Sequence, residues 1–158
     1  TKRKTYKIYG FPFLIFSFYT FYELSLELSL VFLVILICVS TDIGGYIFGK
    51  IFKGPKLTKI SPKKTYAGMI GGYLLSLACL AIITHYINYP NIPIQFFVIT
   101  FIISTVSQVG DIIVSYFKRL SKLKDTGKII PGHGGLLDRV DGIIFAIPVS
   151  YLLFNYLI

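Results

Sequence analysis

The sequence predicts an all-α, polytopic membrane protein with about five transmembrane helices and a cytoplasmic N-terminus. Three observations lead there. The chain of 158 residues is 54% hydrophobic and only 15% charged, with a mean hydropathy of +0.73, whereas soluble domains carry roughly 25% charge. Its apolar residues gather in runs long enough to span a bilayer. Its basic residues fall only in alternate connections between those runs. This composition excludes a disordered tail, a disulfide scaffold and a soluble globular enzyme.

Taken in order, the apolar stretches cover about residues 8–22, 28–49, 67–88, 94–117 and 143–158. The hydrocarbon core takes about 20 helical residues, with a range of roughly 17–25. The middle three stretches are therefore comfortable spans, and the first and last are short. Their continuity lacks the alternation of a membrane strand, so a helical bundle is expected rather than a barrel. Residues 1–7, TKRKTYK, hold four bases, residues 50–66 hold six lysines, and residues 118–142 hold six more bases, which accounts for all 16 Lys and Arg. The alternate connections, 23–27 and 88–93, hold none. Short basic loops stay in the cytoplasm, so the three basic segments are expected inside and the C-terminus outside. The formal charge of +9 then fixes orientation or serves anionic ligands at the membrane surface, and no nucleic-acid partner is expected. Cys38 and Cys79 lie within apolar runs and read as small apolar fillers. Without internal repeats, residues 1–158 are expected to form one membrane-embedded domain. The chain opens on Thr1 with no signal-peptide pattern, as a processed or excised piece of a longer protein would.

The acids narrow the chemistry. Glu23 and Glu27 fall on the outer turn and read as solvated. Asp42 and Asp111 lie inside apolar helices, where an ionisable side chain is a candidate functional group; the alternative for each is a structural pair with a nearby lysine. In GDIIVSYFKR, Asp111, Ser115 and Lys118 stand at i, i+4 and i+7 on one face, with Arg119 beside them. A carboxylate followed by a hydroxyl and two bases suits a metal ion that holds phosphate. Next comes Pro131-Gly132-His133-Gly134-Gly135, a turn whose glycines allow close approach of a ligand. His133 between them is a loop hydrogen-bonder, a phosphate contact or a proton carrier. Asp138 and Asp141, at i and i+3 where the last helix opens, can face one point, as a hard cation such as Mg²⁺ requires; the alternative is an ordinary acidic helix start. Upstream, Asp42, Gly45 and Gly49 share a helix face open to close approach. Ser61, Lys63, Lys64 and Thr65 just precede a helix start rich in small residues, Gly68, Gly71 and Gly72, which suits an anionic phosphate ligand. Lys50, Lys53, Lys56 and Lys59 read as positive-inside anchors.

Residues 115–141 read S-x-x-K-R-x4-K-D-x5-P-G-H-G-G-x2-D-R-x-D. This resembles the signature of the phosphatidate cytidylyltransferases, or CDP-diacylglycerol synthases. Thr41-Asp42-Ile43-Gly44-Gly45-Tyr46 with Gly49-Lys50, and Ser61-Pro62-Lys63-Lys64-Thr65 with Gly68, are similar to that family's other recurring segments. The resemblance covers roughly residues 40–150. Gly45 stands where the family often has alanine, and Thr126 where serine is frequent. Family members are commonly longer, with additional N-terminal spans, so the chain looks like their C-terminal catalytic portion or a short version.

The resemblance implies a multi-pass enzyme of the cell (inner) membrane, active site toward the cytoplasm, that serves phospholipid biosynthesis. It would convert CTP and phosphatidic acid into CDP-diacylglycerol and pyrophosphate with Mg²⁺, assisted by K⁺, and work as a homodimer. Metal coordination falls to Asp111, Asp138 and Asp141, with Asp42 as an outer ligand or at a second site. Lys118, Arg119, Lys124 and Arg139 would hold triphosphate or lipid phosphate. His133 joins the catalytic set, while Ser61, Lys63, Lys64, Thr65, Ser115, Asp125, Gly134 and Gly135 are the remaining substrate-binding candidates. No protein nucleophile is needed, because a lipid phosphate is already ionised at neutral pH. Two other classes compete. A transporter would explain Asp42 and Asp111 but not the Asp138/Asp141 pair, and a passive anionic-lipid binder would leave the carboxylates without a purpose.

Overall fold

The computed structural model describes residues 2–58, 60–86, 93–121 and 137–157, with the side chains of 2–9 and 137–139 outside that description. Five helices follow one another: α1 (Lys2–Ser25), α2 (Leu28–Phe52), α3 (Tyr66–Tyr86), α4 (Ile94–Leu120) and α5 (Leu137–Leu157). The described residues otherwise hold one isolated antiparallel bridge, Lys56 with Thr65. The all-helical expectation is met. Four segments, Leu28–Phe52, Tyr66–Tyr86, Ile94–Leu120 and Val140–Leu157, are long and apolar enough to cross a membrane, and the protein is a multi-pass membrane protein. Phe11, Phe18, Phe32, Ile51 and Ile94 are each more than 60% exposed. On a soluble protein so much bare apolar surface would drive association, whereas on this bundle it meets lipid.

Glycine sets the closest helix pair. Gly44, Gly45 and Gly49 of α2 face Gly68, Gly71 and Gly72 of α3 so tightly that a Cβ at Gly68 would lie 2.6 Å from the Gly45 carbonyl oxygen. Between apolar helices in lipid, packing of this kind supplies the attraction that water supplies elsewhere. The face shared by Asp42, Gly45 and Gly49 is thus the one along which α3 approaches. On the other side, α4 packs against α5, and α5 against α1. Val34, Ile37 and Cys38 of α2, Ile99 and Ile103 of α4 and Ala146 of α5 form the dry centre, where Cys38 is a free thiol acting as filler.

Several groups that helix geometry leaves open are satisfied by neighbouring side chains and carbonyls, as lipid demands. Pro148 lies inside α5 and cannot donate to the carbonyl of Ile144 one turn back. That carbonyl instead accepts a 3.2 Å hydrogen bond from Ser17 Oγ of α1. The Thr20, Ser76, Thr84, Thr105 and Ser150 hydroxyls bond to carbonyls of their own helices.

Candidate active site at the basic end of the bundle

The connection from α2 to α3 builds one wall. α2 stops where Lys53 and Gly54 take positive φ, 52° and 87°, and the Lys53 N–H donates to the Gly49 carbonyl at 3.2 Å. The chain then doubles back: Leu57 N donates to Lys64 O at 2.8 Å and Tyr66 N to Pro55 O at 3.2 Å. A tight turn between them, Lys64 N to Ser61 O at 3.1 Å, brings Ser61, Lys63 and Lys64 to the bundle. Thr65 caps α3, its Oγ1 accepting from Gly68 N at 3.1 Å. The hydroxyl that sequence reasoning assigned to substrate therefore also holds the helix start.

Between this wall and the ends of α2 and α4 lies a cavity of about 370 Å³. Asp42 and Tyr46 of α2, Ser61, Lys63, Lys64 and Thr65 of the connection, and Gln108 and Asp111 of α4 line it. Residues of three separate sequence segments thus meet at one opening. Lys64 Nζ forms an ion pair with Asp111 Oδ2 and also donates to the Gln108 carbonyl at 3.4 Å. Ser115 Oγ donates to Asp111 Oδ1 at 3.4 Å, as the i, i+4 spacing predicts. One turn further along α4, Lys118 Nζ lies 3.7 Å from Asp141 Oδ2 of α5. The other oxygen, Asp141 Oδ1, accepts from Gly142 N at 3.0 Å. Asp111 keeps 28% of its side-chain surface exposed, whereas Asp141 is largely buried.

Below the carboxylates the seam stays polar. Thr41 Oγ1 is bonded to the Ile37 carbonyl at 2.8 Å and paired with Ser104 Oγ at 2.9 Å. Ser107 Oγ is buried without a hydrogen-bond partner among the described residues, close under the Cα of Gly142. Gln108 donates from Nε2 to Met69 O at 3.4 Å and ties α4 to α3. Sequence reasoning missed Gln108, Tyr46 and the Lys118–Asp141 pairing. Gln108 was detectable, being a polar side chain one turn before Asp111 in an apolar helix. The pairing was not, because it joins two helices whose register only packing sets.

Among the described residues, no three His, Cys, Asp or Glu side chains form a ready-made ion site. The donor chemistry nevertheless fits a hard divalent cation. Asp111 is within electrostatic range of both Asp42 and Asp141, and Mg²⁺ is commonly held by one or two carboxylates together with substrate phosphates. Asp138 and Arg139 open α5, though their side chains lie outside the described residues. Lys124, Asp125, His133, Gly134 and Gly135 lie outside the description as well. Arg119 is in the exposed last turn of α4.

Residues 4–157 match the Cytidylyltransferase family. The chain is 44% identical over 126 residues to the phosphatidate cytidylyltransferase of Rickettsia typhi, covering 75% of this chain and 55% of that protein. It is 46% identical over 127 residues to the enzyme of that name from Rickettsia prowazekii, again 75% and 55%. With the one from Staphylococcus aureus it shares 40% identity over 140 residues, or 87% of this chain and 54% of the other. The chain thus spans about half the length of these curated relatives.

Proposed function

Because the chain belongs to the Cytidylyltransferase family, we propose that it transfers the cytidylyl group of CTP to phosphatidic acid, giving CDP-diacylglycerol and pyrophosphate for phospholipid biosynthesis. One observation carries the reading: Asp111, paired with Lys64 of the basic connection, lines a cavity between the helices, and further along α4 Lys118 meets Asp141 of α5.

The reaction brings a lipid phosphate oxygen to the α-phosphorus of CTP while pyrophosphate leaves in line. Both reactants are anions, so the protein must neutralise and align them. Lys63 and Lys64 line the cavity and are suited to phosphate oxygens, Lys118 and Arg119 extend the positive charge along the last turn of α4, and Arg139 belongs to the same proposal. Asp111 and Asp141, with Asp138 and with Asp42 at the periphery, would hold Mg²⁺. The ion supplies charge neutralisation and orientation of the phosphates. K⁺ as an assisting ion, His133 and the adjoining glycines as phosphate contacts, and a homodimeric assembly belong to the same proposal. So do a cell inner-membrane location and a cavity open to the cytoplasm, which the confinement of every base to alternate connections in the sequence supports.

The test is direct. Purified protein in detergent, given labelled CTP, phosphatidic acid and Mg²⁺, should form CDP-lipid, and chelation with EDTA should stop it. Asp138→Asn and Asp141→Asn should each abolish synthesis while the protein stays in the membrane. Ion flux in liposomes without CDP-lipid formation would overturn the proposal in favour of a transporter.

A further inference from the structure

Two carboxylates of the site, Asp111 and Asp141, are each held by a lysine from a different element. Lys64, from the α2–α3 connection, holds Asp111 of α4, and Lys118 of α4 lies against Asp141 of α5. Neither arrangement is a sealed structural pair, because the lysine side chains keep 24% and 14% of their surface and the acids 28% and 11%. Lys64 is anchored through its backbone, accepting from Leu57 N and donating to Ser61 O, which leaves its four-carbon stem to swing. An ammonium is a compact point charge with rotatable donors, and phosphate oxygens in the same cavity offer it an equivalent anionic partner. An ammonium seated on a carboxylate offsets its negative charge and repels a divalent cation approaching the same group, so the two compete for it.

We propose that Lys64 and Lys118 are exchangeable counter-ions: each neutralises an acid, as seen here, and passes to a phosphate oxygen when nucleotide and divalent cation enter together. The inference rests on the cytidylyl-transfer reading and adds a thermodynamic link to it. A cation entering alone must displace a lysine from its carboxylate. A triphosphate entering alone must draw that lysine away and leave the carboxylate uncompensated, which is costly in a partly buried site. Together, each ligand releases the partner the other needs. Cation and nucleotide therefore favour each other's binding through the protein, beyond their direct contact, and by linkage the effect is reciprocal. A site of this design stays electrically balanced without substrate and resists loading by cation alone.

Gains of affinity test the exchange, since misfolding cannot produce them. Lys64→Gln in the full chain in detergent should bind Mn²⁺, measured by electron paramagnetic resonance without nucleotide, about tenfold more tightly than the unmodified chain, well within the range of coupling seen between linked sites. Lys63→Gln removes the same charge from the same cavity, and the structure gives Lys63 no carboxylate partner among the described residues, so it should change Mn²⁺ affinity no more than about twofold. In the mirror experiment, Asp111→Asn should bind CTP in EDTA about tenfold more tightly, because Lys64 no longer has a carboxylate to hold. The exchange is overturned if Lys64→Gln and Lys63→Gln behave alike, or if Asp111→Asn gains nothing for CTP. If the unmodified chain binds neither Mn²⁺ nor CTP even when both are supplied, the functional reading itself fails and the exchange goes with it.

Discussion

Lys63 and Lys64 are neighbours in sequence with different duties in the fold. Lys64 reaches across to Asp111, while Lys63 lines the same cavity without a carboxylate partner among the described residues. Losing one charge-assisted contact to a phosphate costs about 1.5–3 kcal/mol. Lys63→Ala should accordingly raise KM for CTP or phosphatidic acid by about tenfold or more, with kcat nearly unchanged and membrane orientation intact. Steady-state kinetics on purified protein would check it, and unchanged KM values would return Lys63 to the topological lysines. At this scale the sequence was informative wherever a residue was out of character. A carboxylate in an apolar helix, as at Asp42 and Asp111, is anomalous on any reading. Lys64 was one of six lysines in a basic loop, and nothing local marked it as the one that meets Asp111.

Among the elements, the α2–α3 pair shows how small residues convert helices into a site. The seam of Gly44, Gly45 and Gly49 against Gly68, Gly71 and Gly72 brings the end of α2 and the start of α3 close enough for Asp42 and the Ser61–Thr65 turn to share a cavity. Gly68→Ala would push a methyl against the Gly45 carbonyl, where the obstacle is backbone and cannot rotate away. Overpacking of this kind costs about 1–3 kcal/mol. Unfolding in mixed micelles should register that loss, and CDP-lipid formation should fall with it, since separating the helices widens the cavity. The glycine spacing was visible in the sequence, and so was the close approach it permits. The bond from Ser17 to the carbonyl that Pro148 leaves unpaired was not, because α1 and α5 lie at opposite ends of the chain. Helix limits were legible to within a few residues, except that the first and last helices begin at Lys2 and Leu137, each several residues before its apolar run. Within the early part of the last helix, Asp141 pairs with Lys118 of α4.

For the molecule as a whole, charge and hydropathy settle on one arrangement. With all 16 bases in alternate connections, the positive-inside tendency favours helices that cross in alternating senses. In a background with Cys38 and Cys79 replaced by alanine, a membrane-impermeant thiol reagent added outside should label Glu27→Cys and leave Lys53→Cys untouched until the membrane is opened. Labelling of Lys53→Cys from outside would invert the topology and carry the cavity with it.

The sequence by itself determined that this is a helical membrane protein, where four long apolar helices lie, which connections carry the positive charge, and which carboxylates stand out of place. Those are properties of single segments, read from transfer of side chains and backbone into hydrocarbon. Only the tertiary structure decided which lysine neutralises which acid, that Gln108 and Tyr46 share the cavity with them, and that Thr65 caps the helix behind it. Such pairings depend on helix rotation and register, which are set by the sum of many packing contacts along each interface and are written in no single segment.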